Sequence, residues 1–326
     1  MWPKTQRFSI YRISFSDGIE SKKELLSIKE ITIKFFLLQK NSIVGNFDKN
    51  FKVIKSAYKK ACSKGCDFFL TSELFLTGYP PQDLINRSDF HEKINFFKKK
   101  LLKLSKNQQT ILMLNIPQKE KGKIFNVLLL LKKGSVVYKK KKSILPNYDV
   151  FDEKRYFSTE EIDTSFFQFK KKRIKFLICE EMWSDEFIKK NKSIRPDLLV
   201  VINASPYEIN KFSEREKIAK KNVNAYNSDL IYLNHIGCQD ELIFDGGSFL
   251  MNKSKKIIYQ ENFFCECERI LDLNRIVTDR KPKLFKNKIG LLYNALVYSL
   301  KNYMKDNSFK DVTIGLSGGI DSALCT

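Results

Sequence analysis

Short apolar runs alternate with longer amphipathic stretches along most of this chain, and that alternation limits the folds open to it. Strand-like runs stand at Ile31–Leu38, Asp67–Thr71, Thr110–Ile116, Lys175–Cys179, Leu198–Asn203 and Leu230–Asn234. Helical periodicity fills the gaps at Asn46–Gly65, His91–Lys106 and Lys211–Asn227. In the first of these, Phe51, Ile54, Ala57, Tyr58 and Ala61 recur on one face at helical spacing. Ile124–Leu131 and Ser135–Lys139 flank Lys132-Lys133-Gly134 as a hairpin, and Asp245–Tyr259 holds a second. The pattern predicts an α/β fold, sheets covered by helices. No repeat of fixed period is present.

With 326 residues, 43% of them hydrophobic, there is material for one large domain or two smaller ones. The net charge of +22 raises the question of a nucleic-acid or anionic-membrane partner. The excess comes from 49 Lys against 10 Arg, spread along the whole chain. Guanidinium forks, the better readers of phosphates and bases, are scarce, so a general residue bias is the stronger explanation and neither partner is expected. Seven Cys occur without paired CxxC spacing, which fits reduced thiols in a cytoplasmic protein. No apolar run approaches the roughly 20 residues of a membrane helix, and no signal-peptide pattern opens the chain. Residues 1–30 are polar and weakly patterned, an unmatched extension or a wrongly assigned start.

Three strand ends carry candidate chemistry: Glu73 in TSELFLTGYPPQDL, Lys142 in KKSILPNYDVFDEKRYF and Cys179 in LICEEMW. Together these groups can hydrolyse an amide. The thiolate is the nucleophile, and a free thiol needs a base to take its proton. Glu73 can take that proton and return it to departing ammonia. Lys142 can face the developing oxyanion, with the backbone N–H of Glu180 as a second donor. No histidine is required, and neither His91 nor His235 neighbours a candidate nucleophile in sequence. Singly, each group has a plainer explanation: a buried core thiol, a solvated lysine run, a turn cap. Their weight comes from occurring together.

GCDFFLTSELFLTGYPPQDL, ILPNYDVFDEKRYF, FLICEEMW, NASPYE and GCQDELIFDGGSF resemble the amidase domain of glutamine-dependent NAD synthetases, within the nitrilase superfamily. The similarity runs from about Ile31 to about Ile270. It implies a four-layer α-β-β-α sandwich and a Glu–Lys–Cys triad at Glu73, Lys142 and Cys179, with Glu153 as a supporting carboxylate. It also implies glutamine contacts from Tyr79, Tyr148, Glu180, Ser205 and Lys211, with Arg215 a second candidate cation. It implies no cofactor and no metal in this domain. Asp149, Glu181, Asn210, His235 and Cys238 depart from the family pattern. Asp149 and Asn210 stand in expected loops, and Cys238 is expected to crowd a tight turn.

Charge rises over 272–288, around Pro282, which reads as a linker. Ile289–Tyr303 is then a predicted helix, and Val312–Leu316 a predicted strand entering SGGIDS. IGLSGGIDSA resembles the PP-loop of ATP pyrophosphatases. The expected organisation is therefore a nitrilase-like domain over 31–271, then an incomplete PP-loop α/β domain over 289–326. Ser317, Gly318, Gly319, Asp321 and Ser322 would be the ATP-binding residues. In the complete family, ATP and Mg²⁺ serve the amidation of nicotinic acid adenine dinucleotide to NAD with glutamine-derived ammonia. This chain alone is expected to retain at most the glutaminase step, and the resemblance implies a homo-oligomer. The alternatives are a free-standing nitrilase-type hydrolase of another small amide, and a decayed non-catalytic fragment.

Overall fold

A computed structural model describes residues 32–273 and 288–326. The expected extension over 1–30, and most of the expected linker, lie outside the described residues.

Two six-stranded sheets form the body of the fold. The first contains β1 (Lys34–Gln39), β2 (Phe68–Thr71), β3 (Ile111–Glu120), β4 (Lys123–Lys132) and β5 (Ser135–Lys141) in that order. The second uses β6 (Phe167–Phe169), β7 (Lys172–Ile178), β8 (Leu198–Ile202), β9 (Asp229–Leu233), β12 (Phe249–Met251) and β13 (Ile257–Gln260), also in that order. Between β9 and β12 the chain makes a separate two-stranded ribbon, β10 (Ile236–Gln239) with β11 (Leu242–Asp245). The last strand, β14 (Cys267–Asp272), returns to the first sheet and pairs antiparallel with β1.

Strand alternation creates the layers. In β1, Phe35 and Leu37 face the second sheet, where they meet Phe176, Ile178, Val200 and Ile202. Phe36 and Leu38 face the other way, against α1 (Phe47–Ser63) and α2 (Ser88–Ser105). The second sheet repeats the arrangement. Leu177, Leu199 and Val201 turn outward onto α4 (Asp185–Asn191) and α5 (Lys211–Tyr226), through Phe187, Ala219, Val223 and Tyr226. Three apolar clusters between four layers make the α-β-β-α sandwich that the motifs imply. A short helix, α3 (Glu153–Tyr156), follows β5 in the chain and packs Tyr156 against the cluster under α1 and α2.

Most predicted elements are present, with shifted ends. The helix read from Asn46 starts with Asn46 as its cap, its side chain accepting from the Lys49 N–H. The strand read at 110–116 continues to Glu120, because it pairs in full with β4. Two differences are larger. Cys238 lies in β10, opposite Ile243, not in a tight turn. Val312–Leu316 forms no strand. Its residues are exposed, and a strand needs a neighbour to pair with. The helix before it is present as α6 (Lys288–Asp306), and a short helix, α7 (Ile320–Cys325), follows the glycine loop.

Candidate active site

The three candidate catalytic side chains sit at strand ends from both sheets. Glu73 stands two residues past β2, Lys142 one past β5, and Cys179 one past β7.

Glu73 is fully buried. The chain turns sharply after it, with Leu74 in the left-handed region at φ 48°. The Leu74 N–H donates to Asn115 Oδ1 at 2.8 Å, and the Asn115 amide donates to Asn126 Oδ1 at 2.7 Å. The Asn126 amide then donates to Glu73 Oε1 at 2.8 Å. Two asparagines on the β3–β4 hairpin thus aim the carboxylate. Glu73 Oε2 accepts no hydrogen bond from the described residues, which leaves that oxygen to take a proton. Further along the loop, Gly78 has φ 76°, and a Cβ there would lie 2.5 Å from the Val44 backbone. Only glycine lets the loop pass this close and deliver Tyr79 to the site.

Lys142 closes the run Lys139–Lys142, and period-two alternation sorts that run into two faces. Lys139 and Lys141 reach Glu120 at the surface. Lys140 and Lys142 point inward and are buried. The Lys142 ammonium lies 2.8 Å from Glu73 Oε1, and 2.9 and 2.7 Å from the two oxygens of Glu153. Tyr79 adds its hydroxyl to Glu153 Oε1 at 2.9 Å.

Cys179 is 4% exposed and takes φ 43°, a strained conformation for a residue with a side chain. Burial pushes its thiol well above the ordinary value. Glu73 adds to the rise and Lys142 opposes it. The thiol therefore rests protonated and requires a base. Burial lifts Glu73 to about 7, against the pull of Lys142 and with a further push from Glu153. Lys142 is held charged. Burial disfavours its ammonium, but Glu153 and Glu73 outweigh that cost. This arrangement can move a proton from thiol to carboxylate beside a fixed positive charge, which suits addition of sulfur to a carbonyl carbon.

The candidate glutamine contacts divide into open and engaged groups. Tyr148 is 47% exposed and donates to Glu180 Oε2 at 2.9 Å. Burial raises the Glu180 carboxyl, while Tyr148, Lys142 and Lys211 act to lower it. Lys211 pairs with Glu208 at 3.1 Å and Glu214 at 3.6 Å, beside the Trp183 ring. Arg215 is 1% exposed and spends its guanidinium inside the protein. It donates to both oxygens of Asp245 at 2.8 and 2.9 Å, to the carbonyls of Ser205 and Pro206, and to Ser205 Oγ. Of the two candidate cations, Lys211 is the more accessible, its side chain 15% exposed against 1% for Arg215. Asp149 and Asn210, two of the departures from the family pattern, take φ 50° and 76°. Asparagine and aspartate tolerate that region best among residues with side chains.

Sequence reasoning missed Asn115, Asn126 and the buried pair Lys140–Glu181. The inward parity of Lys140 and Lys142 was the available signal for the pair. His235 is buried and bonded to Ser72, one residue before Glu73. Burial alone lowers it to about 3, so it stays neutral. In the glycine loop, Ser317 and Ser322 pair their hydroxyls at 3.0 Å, Gly318 has φ 81°, and Gly319 and Asp321 are exposed. Among the described residues, no group of three or more His, Cys, Asp or Glu is placed to hold a metal ion.

A buried Glu–Lys–Cys set at the strand ends of a double-sheet sandwich defines a class, and the carbon-nitrogen hydrolase family profile matches residues 37–273. The chain belongs to that family. The NAD synthase profile matches residues 292–326. The chain is 32% identical over 302 residues to the glutamine-dependent NAD(+) synthetase of Acinetobacter baylyi, covering 90% of this chain and 54% of the relative. The Synechocystis enzyme of the same name is 33% identical over 309 residues, with coverage of 88% and 55%. The glutamine-dependent NAD+ synthetase structure from Acinetobacter baumannii, in complex with adenosine diphosphate, superposes with a TM-score of 0.83 at 31% identity. That match covers 90% of this chain and 56% of the other. An amidase from Nesterenkonia sp. shares the fold, with a TM-score of 0.67 at 20% identity over 80% of this chain and 95% of its own. The chain spans about half the length of the curated relatives it matches.

Proposed function

We propose that this chain is the glutamine-hydrolysing part of a glutamine-dependent NAD synthetase. Glu73 takes the Cys179 proton, and the sulfur attacks the side-chain amide carbon of glutamine. Lys142 and the Glu180 N–H face the oxyanion. Collapse breaks the C–N bond, Glu73 returns the proton to the leaving nitrogen, and ammonia departs from a γ-glutamyl thioester. Glu73 then takes a proton from water, whose oxygen attacks the thioester. Glutamate leaves and the thiol is restored. Glu153 holds Lys142, and Tyr148, Glu180, Ser205 and Lys211 receive the amino acid end of glutamine, with Tyr79 at the pocket wall.

The observation that carries this reading is the Lys142 ammonium held between Glu73 and Glu153 at 2.7–2.9 Å. It leaves Glu73 one oxygen that accepts no hydrogen bond from the described residues, and it supplies the positive charge that an oxyanion needs.

In the full reaction the ammonia would amidate nicotinic acid adenine dinucleotide, activated by ATP, to give NAD. Domain boundaries at 31–271 and 289–326 fit that division of labour. Ser317, Gly318, Gly319, Asp321 and Ser322 would meet the ATP phosphates. Asp321 is the loop's carboxylate, enough for Mg²⁺ when phosphates and water complete its shell. A cytoplasmic, homo-oligomeric enzyme is part of the same reading.

The test is ammonia release from glutamine by the purified chain, with mass spectrometry after treatment with a glutamine-like electrophile. An adduct on Cys179 and loss of turnover in Cys179→Ala are expected. Turnover that survives Cys179→Ala places the nucleophile elsewhere. Hydrolysis of other small amides with glutamine ignored favours a free-standing amidase instead.

A further inference from the structure

Resting on Cys179 as the nucleophile, we propose that Glu181 is a positioning residue that holds the thiol and the Lys142 ammonium at working distance. Its side chain is fully buried and is bonded to two strands from different sheets. Oε1 accepts the Ser143 N–H at 2.8 Å. Oε2 accepts the Ile178 N–H at 2.8 Å and the Lys140 ammonium at 2.7 Å.

Ser143 directly follows Lys142, and Ile178 directly precedes Cys179. β5 and β7 belong to different sheets and share no hydrogen-bond ladder. One carboxylate therefore ties the backbone beside the ammonium to the backbone beside the thiol. Glu181 also sits within the 3-10 turn Cys179–Met182, so the same bonds orient the Glu180 N–H that faces the oxyanion.

A buried carboxylate accepting two backbone N–H groups needs a compensating charge, and Lys140 provides it. The lysine run thus carries two functions by parity: Lys142 for the reaction, Lys140 for the clamp. Glutamine cannot replace Glu181 in this role. If its oxygen faces Ser143, its NH₂ confronts the Ile178 N–H and the Lys140 ammonium, donor against donor.

The experiment measures alkylation of Cys179 by iodoacetamide as a function of pH, read by mass spectrometry, with melting temperatures recorded alongside. Glu181→Gln is expected to slow alkylation on the order of 10- to 100-fold, because small misplacements at a reacting pair cost rate steeply. Lys140→Gln leaves the Glu181 carboxylate accepting both backbone N–H groups. It is expected to lower the melting temperature at least as much while slowing alkylation less. Glu181→Asp, one methylene shorter, is expected to fall between wild type and Glu181→Gln, and it supplies the comparison if Glu181→Gln does not fold. Unchanged alkylation in both Glu181 variants overturns the proposal. So does slowing that merely tracks melting temperature across all variants. Failure of the glutaminase reading looks different: Cys179 is alkylated, yet no ammonia is released from glutamine.

Discussion

Glu73 Oε1 and the Lys142 ammonium lie 2.8 Å apart with no exposed area on either side chain. This contact sets the pH response expected of the site. Glu73 titrates at about 7, raised by burial against the pull of Lys142. It accepts the thiol proton only as a carboxylate. Glutamine hydrolysis should therefore rise through about pH 7 and level off above it, and fall about tenfold per pH unit below. Glu73→Gln should remove that inflection and lower kcat on the order of 10²- to 10⁴-fold. Ammonia release across pH checks both. An inflection that persists in Glu73→Gln would assign the base to another group.

Glu153 acts on the same inflection from the far side of Lys142. Its negative charge raises Glu73. In Glu153→Gln that repulsion is gone, while Lys142 still attracts Glu73. The Glu73 inflection should move to lower pH, and kcat should fall because the ammonium has lost its two-oxygen anchor. A pH–rate profile of Glu153→Gln decides the point, and a shift toward alkaline pH would contradict it.

Much of this site was legible in the sequence because each part stands where a strand ends. LICEEMW, KKSILPNYDVFDEKRYF and TSELFLTGYP are local signals, and all three fall beside strands of the expected sandwich. What stayed hidden depends on long-range pairing. Asn126 reaches Glu73, and Asn115 holds Asn126 and the Leu74 N–H, because β3 and β4 pair in one register. Nothing local marks either asparagine. Glu181 stood out in the sequence only as a departure from the family pattern, because its partners Lys140 and Ser143 lie about 40 residues away. Val312–Leu316 failed for the opposite reason: its apolar pattern is right for a strand, but pattern alone cannot supply a pairing neighbour.

Lys211 and Arg215, both candidates for the glutamine carboxylate, should separate cleanly on mutation. Arg215→Ala leaves Asp245 buried and unpaired, a loss of about 3–5 kcal/mol. It should appear as a lower denaturation midpoint. The ion pairs of Lys211 are with half-exposed glutamates and contribute little to folding. Lys211→Ala should leave the midpoint nearly unchanged and raise KM for glutamine about tenfold, the cost of one charge-assisted hydrogen bond. A stable Arg215→Ala protein with a raised KM would exchange the two roles.

Lys175 makes the last prediction, and it concerns stability. Its ammonium is buried, donates to the carbonyls of Asp163 and Ser165, and lies 5.3 Å from the Phe187 ring that Lys140 approaches at 5.2 Å. Burial, then the Lys140 charge, lowers it to about 8. In the unfolded chain the same group keeps its proton to higher pH. Between about pH 8 and the ordinary lysine value, the unfolded state binds more protons, so the Lys175 contribution to stability grows as pH rises. Below about pH 8 both states are protonated and the contribution is flat. Relative to Lys175→Met, wild type should therefore gain up to about 3 kcal/mol between neutral and strongly alkaline pH. Chemical denaturation of both proteins at two such pH values measures the change in their gap, and parallel stability curves would show that Lys175 is not charged and strained at neutral pH.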